Sequence, residues 1–153
     1  MAELAPQGRY FEELEVGDGL VTPARTITEA DVVNFAGVTG DYNQLHTDAE
    51  FAADTPFGAR IAHGMLVLSF TMGLVGRTGV FEGTAVAFTG LDWKFKKPVY
   101  IDDTIRVRIE VTRKRPLGQE AGIVFVKAEV LNQKDELVQT GVWRAVIACK
   151  PQE

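Results

Sequence analysis

Gly64-Met-Leu-Val-Leu-Ser-Phe-Thr-Met-Gly-Leu-Val75 is the stretch on which the fold turns. It is apolar almost throughout, yet it falls well short of the roughly 20 residues a bilayer span needs and is broken by Ser69, Thr71 and Gly73. The run reads as a buried core helix, and its packing partner follows downstream. Thr104-Ile-Arg-Val-Arg-Ile-Glu-Val-Thr112 alternates apolar and polar residues with period two, the mark of a strand with one wet face. Ile123 to Leu131 and Leu137 to Ala148 repeat the habit, and Pro116 to Gly122 and Asn132 to Glu136 read as the hairpin turns between them. Such a meander has an apolar face to cover, and the Gly64–Val75 run is the one segment suited to it. The expected class is α+β, a curved antiparallel sheet wrapped around one helix.

Upstream, Gly19 to Ile27 is extended in character, with Pro23 breaking it or confining it to an edge. Thr28 can cap a helix that carries Glu29 and Asp31 in its first turn and Val33, Phe35 and Ala36 on its apolar side; Gly40 ends it. Thr47 with Glu50 predicts a second capped helix through Ala52, stopped by Pro56 and Gly58. Between the two lies a tight polar loop, Gly40-Asp-Tyr-Asn-Gln-Leu-His46. Neither repeat nor linker divides the chain, so residues 1–153 are expected to form one domain, ordered over about 9–149 and frayed at its polar ends.

Composition removes several function classes. Sixteen Lys and Arg against twenty-one Asp and Glu leave a net charge of −5, with no positive excess to meet a nucleic-acid backbone. With 46% apolar and 24% charged residues, the balance is that of a globular domain. Cys149 is the one cysteine and has no partner for a disulfide, which fits a cytoplasmic setting, and no leader or membrane segment is expected.

The chain has two histidines. His46 follows Asp41 by five residues in the polar loop, with Asn43 between them. Those residue types can form an acid/base pair, because histidine changes protonation near neutral pH and a neighbouring carboxylate fixes its tautomer or holds a water. They can equally be a capped turn with a packed histidine, and the residues alone leave both readings open. His63 precedes Gly64, the predicted helix start. There, unpaired N–H groups could stabilise negative charge on a thioester or ester oxygen; the plainer reading makes Gly64 a close-packing residue and His63 a hydrogen-bonded core partner. A metal reading would draw on His46, His63, Asp41 and Asp48, but no His-Glu-x-x-His or paired-cysteine spacing supports it. Ser69 lacks a nucleophile elbow, and no glycine-rich phosphate loop is present. Lys94, Lys96, Lys97 and Arg113, Lys114, Arg115 could meet the phosphates of a large anionic substrate, but read first as solvated strand faces.

Together these pieces resemble a known family. Gly40-Asp41-Tyr-Asn43-Gln-Leu-His46 is similar to the Gly-Asp-x-Asn-Pro-(Leu/Ile/Val)-His motif of the MaoC-like dehydratases, the (R)-specific enoyl-CoA hydratases with a hot-dog fold. Phe57 to Leu66, with Ile61-Ala62-His63-Gly64 at its centre, resembles the family's second block at its usual distance. Tyr10 to Gly17 and Trp93 to Pro98 extend the likeness over nearly the whole chain. The resemblance implies a homodimer, or a higher oligomer built on it. Asp41 and His46 would activate a water for addition to a trans-2-enoyl thioester, with Asn43 supporting the loop and the Gly64 N–H holding the thioester oxygen. It implies no metal and no cofactor beyond the substrate's own coenzyme A or acyl carrier protein. Gln44 departs from the motif's proline and puts substrate choice in doubt. A hot-dog thioesterase and a non-catalytic acyl-CoA-binding module are the alternatives.

Overall fold

The computed structural model describes residues 8–152; the polar start expected to fray and to lack a leader falls mainly in residues 1–7, which with Glu153 lie outside the described residues. The alternation at Thr104 opens β4 (Thr104–Leu117), where Ile105, Val107, Ile109 and Val111 are buried. It pairs antiparallel with β5 (Ala121–Leu131), which pairs with β6 (Leu137–Ala148). The first hairpin turn is tighter than the sequence suggests. Pro116↔Gly122 and Leu117↔Ala121 are paired, and Gly118 supplies the positive φ of 68° that the remaining turn requires. Pro116 is tolerated because β4 has by then outrun its other neighbour. In the second turn, Asn132 Oδ1 accepts the N–H groups of Lys134 and Glu136.

As Pro23 predicts, the early extended segment is split: β1 (Gly19–Val21) and β2 (Arg25–Thr26) pair separately with β4. β3 (Ala85–Phe95) pairs with β6, giving the strand order β1-β4-β5-β6-β3 with β3 at an edge.

Helix α1 (Glu29–Thr39) has the expected cap: Thr28 Oγ1 accepts from Asp31 N–H, Asp31 accepts from Thr28 N–H, and Gly40 closes the helix at φ 76°. The polar loop after it differs from expectation. It contains a single helical turn, α2 (Gln44–Thr47), and the helix that follows, α3 (Ala49–Ala53), is capped by Asp48 rather than Thr47. Thr47 ends α2, its hydroxyl donating back to the carbonyls of Tyr42 and Asn43, and the extended Asp48 is free to accept from Phe51 N–H.

The apolar run forms α4 (Gly64–Gly76). Leu66, Val67, Thr71, Leu74 and Val75 face a core shared with Val107, Val124, Val126 and Ile147, each large apolar side chain contributing about 1.5–3 kcal/mol. A helix gripped by a long antiparallel sheet is the hot-dog fold. The expectation of burial all round is corrected, however: Met65 is 54% exposed, and Ser69, Gly73 and Gly76 continue an exposed stripe. β3 is likewise uncovered, presenting Val86, Phe88, Leu91 and Phe95. The helix packs into the core with β4 to β6 and reaches the edge strand at Gly64, under the Phe95 ring. Among the described residues no helix is long and apolar enough to cross a membrane.

Candidate active site

The end of α1 shapes the loop that carries the acidic residue. Thr39 Oγ1 donates to Phe35 O and accepts from Asp41 N–H, and Asp41 Oδ1 accepts from Asn43 N–H at 3.2 Å. Asn43 Oδ1 then accepts from Leu45 N–H and starts α2, so its support of the loop is a helix cap. His46 stands on that turn, with Nδ1 2.7 Å from the carbonyl of Ile61. A carbonyl only accepts, so Nδ1 carries the hydrogen and Nε2 is the nitrogen available to a water. Ile61 N–H in turn donates to Leu45 O, fastening the two segments in both directions.

The structure brings the predicted pair together and adds a third member. The Asp41 carboxylate and a ring nitrogen from each of His46 and His63 lie within 4.8 Å of one another. One water, with hydrogen bonds of about 2.8 Å, spans such a gap. Among the described residues, no hydrogen bond joins the Asp41 carboxylate to the His46 ring directly. The two imidazoles stack with centroids 3.8 Å apart and planes 28° apart. Planes so nearly parallel do not converge within a metal–nitrogen bond of about 2.1 Å, and two of the ring nitrogens already hold carbonyls. Asp48, the fourth residue of the metal reading, is occupied as the cap of α3.

Gly64 is the first residue of α4. His63 provides no side-chain cap, so the N–H groups of that first turn have no side-chain acceptor from it. The carbonyl of Gly64 accepts from Gln139 Nε2 at 3.0 Å, and Gln139 Oε1 accepts from Trp93 Nε1 at 2.9 Å. The close-packing reading of Gly64 holds: a Cβ there would lie 2.8 Å from the Phe95 ring. Beside it opens a cavity of about 550 Å3 lined by Phe57, Ile61, Gly64, Met65, Phe95 and Lys96, among others. Asp41 and His46 are not in its wall; they adjoin it through Ile61, whose carbonyl anchors His46.

From the sequence, His63 reads as a core partner and Trp93 as part of the family-like strand, while Gln139 was missed. His63 is indeed 2% exposed, yet it belongs to the site as well. Its place next to Gly64 was the available signal, whereas nothing in β6 marks Gln139. Of the basic clusters, Lys114 donates to the carbonyls of Phe11 and Leu14, Arg113 lies over the Phe125 ring, and Lys97 pairs with Glu136. Ser69 is exposed and donates to Met65 O. Burial and the neighbouring Glu12 push the Cys149 thiol above its usual pKa, the wrong direction for a nucleophile.

The family model for the MaoC like domain matches residues 12–132. The chain belongs to the MaoC-like family. MaoC-like relatives include the protein MaoC of Klebsiella aerogenes, 44% identical over 71% of this chain but only 32% of its own length, so this chain spans about a third of that protein. The (R)-specific enoyl-CoA hydratase of Aeromonas caviae is 34% identical over 85% of this chain and 92% of its own. Among solved structures, one named a monoamine oxidase regulatory protein from Archaeoglobus superposes with a TM-score of 0.89 at 41% identity, covering 95% of this chain and 97% of its own. The MaoC-like match spans both sequence blocks of the site, the Asp41–His46 loop and the Ile61–Gly64 segment.

Proposed function

We propose that this MaoC-like chain adds water reversibly to a trans-2-enoyl thioester, giving an (R)-3-hydroxyacyl thioester. The observation that carries the reading is the Asp41 carboxylate within 4.8 Å of a ring nitrogen of His46, a ring whose Nε2 holds no carbonyl, beside a helix start whose first N–H lacks a side-chain cap. The water oxygen bonds to C3 as the carboxylate or the imidazole takes its proton. The C2–C3 π electrons move toward the thioester oxygen, which accepts from Gly64 N–H, and a proton returned to C2 completes the addition. Preorganised donors of this kind are worth about 3–4 kcal/mol, and acid/base assistance about two to four powers of ten. The 550 Å3 cavity takes the thioester, whether of coenzyme A or of an acyl carrier protein, and Lys96 at its wall suits an anionic carrier. No resident cofactor or metal enters the scheme.

A second copy of the chain completes the molecule in this reading. The exposed stripe of α4 and the apolar edge of β3 are continuous, because Gly64 and Met65 share a cavity wall with Phe95, and Gly73 and Gly76 share one with Phe88. A C2 partner buries both at once.

The decisive experiment follows the enoyl absorbance of crotonyl-CoA and of longer enoyl-CoA substrates with a thiol-trapping dye present. Hydration removes the absorbance without free thiol. Release of free thiol instead would make the chain a thioesterase, and tight acyl-CoA binding without any product a binding module.

A further inference from the structure

We infer that His63 is a positioning residue, a strut that sets the distance between the Asp41 carboxylate and the start of α4; its catalytic consequence rests on the hydration reading above. Its Nε2 lies 2.9 Å from the backbone carbonyl of Asp41, and since that carbonyl only accepts, Nε2 carries the hydrogen. One ring face meets Phe35 at 5.1 Å between centroids and stacking places His46 at 3.8 Å. Nδ1 is buried without a partner.

A residue that merely filled this space would be better served by an apolar ring. Phenylalanine would pack between Phe35 and His46 and leave no unpaired nitrogen, whereas a buried unsatisfied polar atom costs stability. What the imidazole supplies and phenylalanine does not is the bond to Asp41. The other hydrogen bonds of Asp41 are local, to Thr39 and Asn43, two residues away on either side. The bond from His63 spans 22 residues and is the one that ties Asp41 to α4. Because His63 is the residue immediately before Gly64, its ring transmits the position of the helix start directly to the carboxylate-bearing residue. The same ring is the platform on which His46 lies. Three groups from two chain segments are thereby referred to one rigid point, and misplacement by about 1 Å is worth on the order of 100-fold in rate.

Two substitutions in the full chain separate the roles of this residue. His63→Phe keeps a ring and removes the donor; His63→Gln removes the ring and places an amide N–H where Nε2 stood. With the cavity untouched, His63→Phe should lower kcat by about 10- to 100-fold with KM nearly unchanged, and His63→Gln should recover most of the loss. A second readout needs no activity. With two histidines in the chain, long-range nitrogen–proton spectra assign each ring by its disappearance in His63→Gln or His46→Ala. The expected result is an Nε2–H tautomer with a slowly exchanging proton for His63 and an Nδ1–H tautomer for His46. Wild-type kcat in His63→Phe, no recovery in His63→Gln, or an Nδ1–H tautomer at His63 overturns the strut, and the spectra decide even where His63→Phe fails to fold. Absence of turnover in the unmodified chain overturns the hydration reading and the catalytic consequence with it, while the tautomer still reports on the bond itself.

Discussion

The two ends of α4 are built on different principles. At the Gly64 end, three backbone carbonyls, those of Asp41, Ile61 and Gly64, are each held by a side chain from elsewhere in the chain: His63, His46 and Gln139. At the Gly76 end the bonds are local, Gly79 N–H to Gly76 O, Glu82 N–H to Gly79 O and Thr78 Oγ1 to Val75 O, each within three residues. Apolar side chains there, including Met72, Val75, Phe88 and Trp143, line an open hollow of about 700 Å3. Directional bonds fix positions to a fraction of an ångström, whereas packing fixes volume. The contrast says that the first end is made for geometry and the second for space, so damage at the first should register as rate and damage at the second as stability.

The largest effect that would break this contrast is at the first end. Asp41→Asn and His46→Ala should each lower hydration by about 10²- to 10⁴-fold with circular dichroism like that of the parent. Asp41 is exposed and its change should leave the melting temperature in place, whereas His46→Ala also loses the bond to Ile61 O and the stacking on His63, about 1 kcal/mol. At the packed side of the same helix, Leu74→Ala should cost about 2–5 kcal/mol in denaturant unfolding while leaving turnover per folded molecule intact. A large rate loss there would show that the distinction is false. Gln139→Leu tests the boundary between the two: it leaves the Gly64 carbonyl and the Trp93 N–H unpaired in a buried setting, for about 1–3 kcal/mol, and should lower rate as well as stability. A Gln139→Leu variant with normal kcat would exclude that glutamine from the geometry of the site.

The smallest effect concerns Gln44. In the structure it is the first residue of α2, preceded by Asn43 at φ −53° and ψ 136°, and among the described residues its N–H donates to no recorded acceptor. A helix's first position is where proline is at home, and the residue before it already has the extended backbone that proline favours. The backbone at Gln44 is therefore one that the motif's proline could also adopt. Gln44→Pro should raise stability by about 0.4–1 kcal/mol in denaturant unfolding, with kcat unchanged.

How much of this was legible in the sequence depended on the range of the interaction. Local patterns carried through: the alternation of β4, the box at Thr28, the stop at Gly40, the break at Pro23 and the apolar run of α4 each specify structure within a few residues. Thr47 misled because two capping residues stand side by side, and the choice between them was made by α2, a helical turn inside what reads as a loop. Asp41 and His46 could be paired on paper because one bend joins them. Gln139 reaches Gly64 across 75 residues and His63 reaches Asp41 across 22, and no periodicity encodes either. Nor does alternation say what covers an apolar face, which is why the bare side of β3 emerged only from the folded chain.

That bare edge has a price in handling. A long outer strand with open N–H and C=O groups and with Phe88, Leu91 and Phe95 alongside is a template for any other strand that arrives first. A chain with that edge uncovered is folded yet adhesive, and its solubility would fail before its core did.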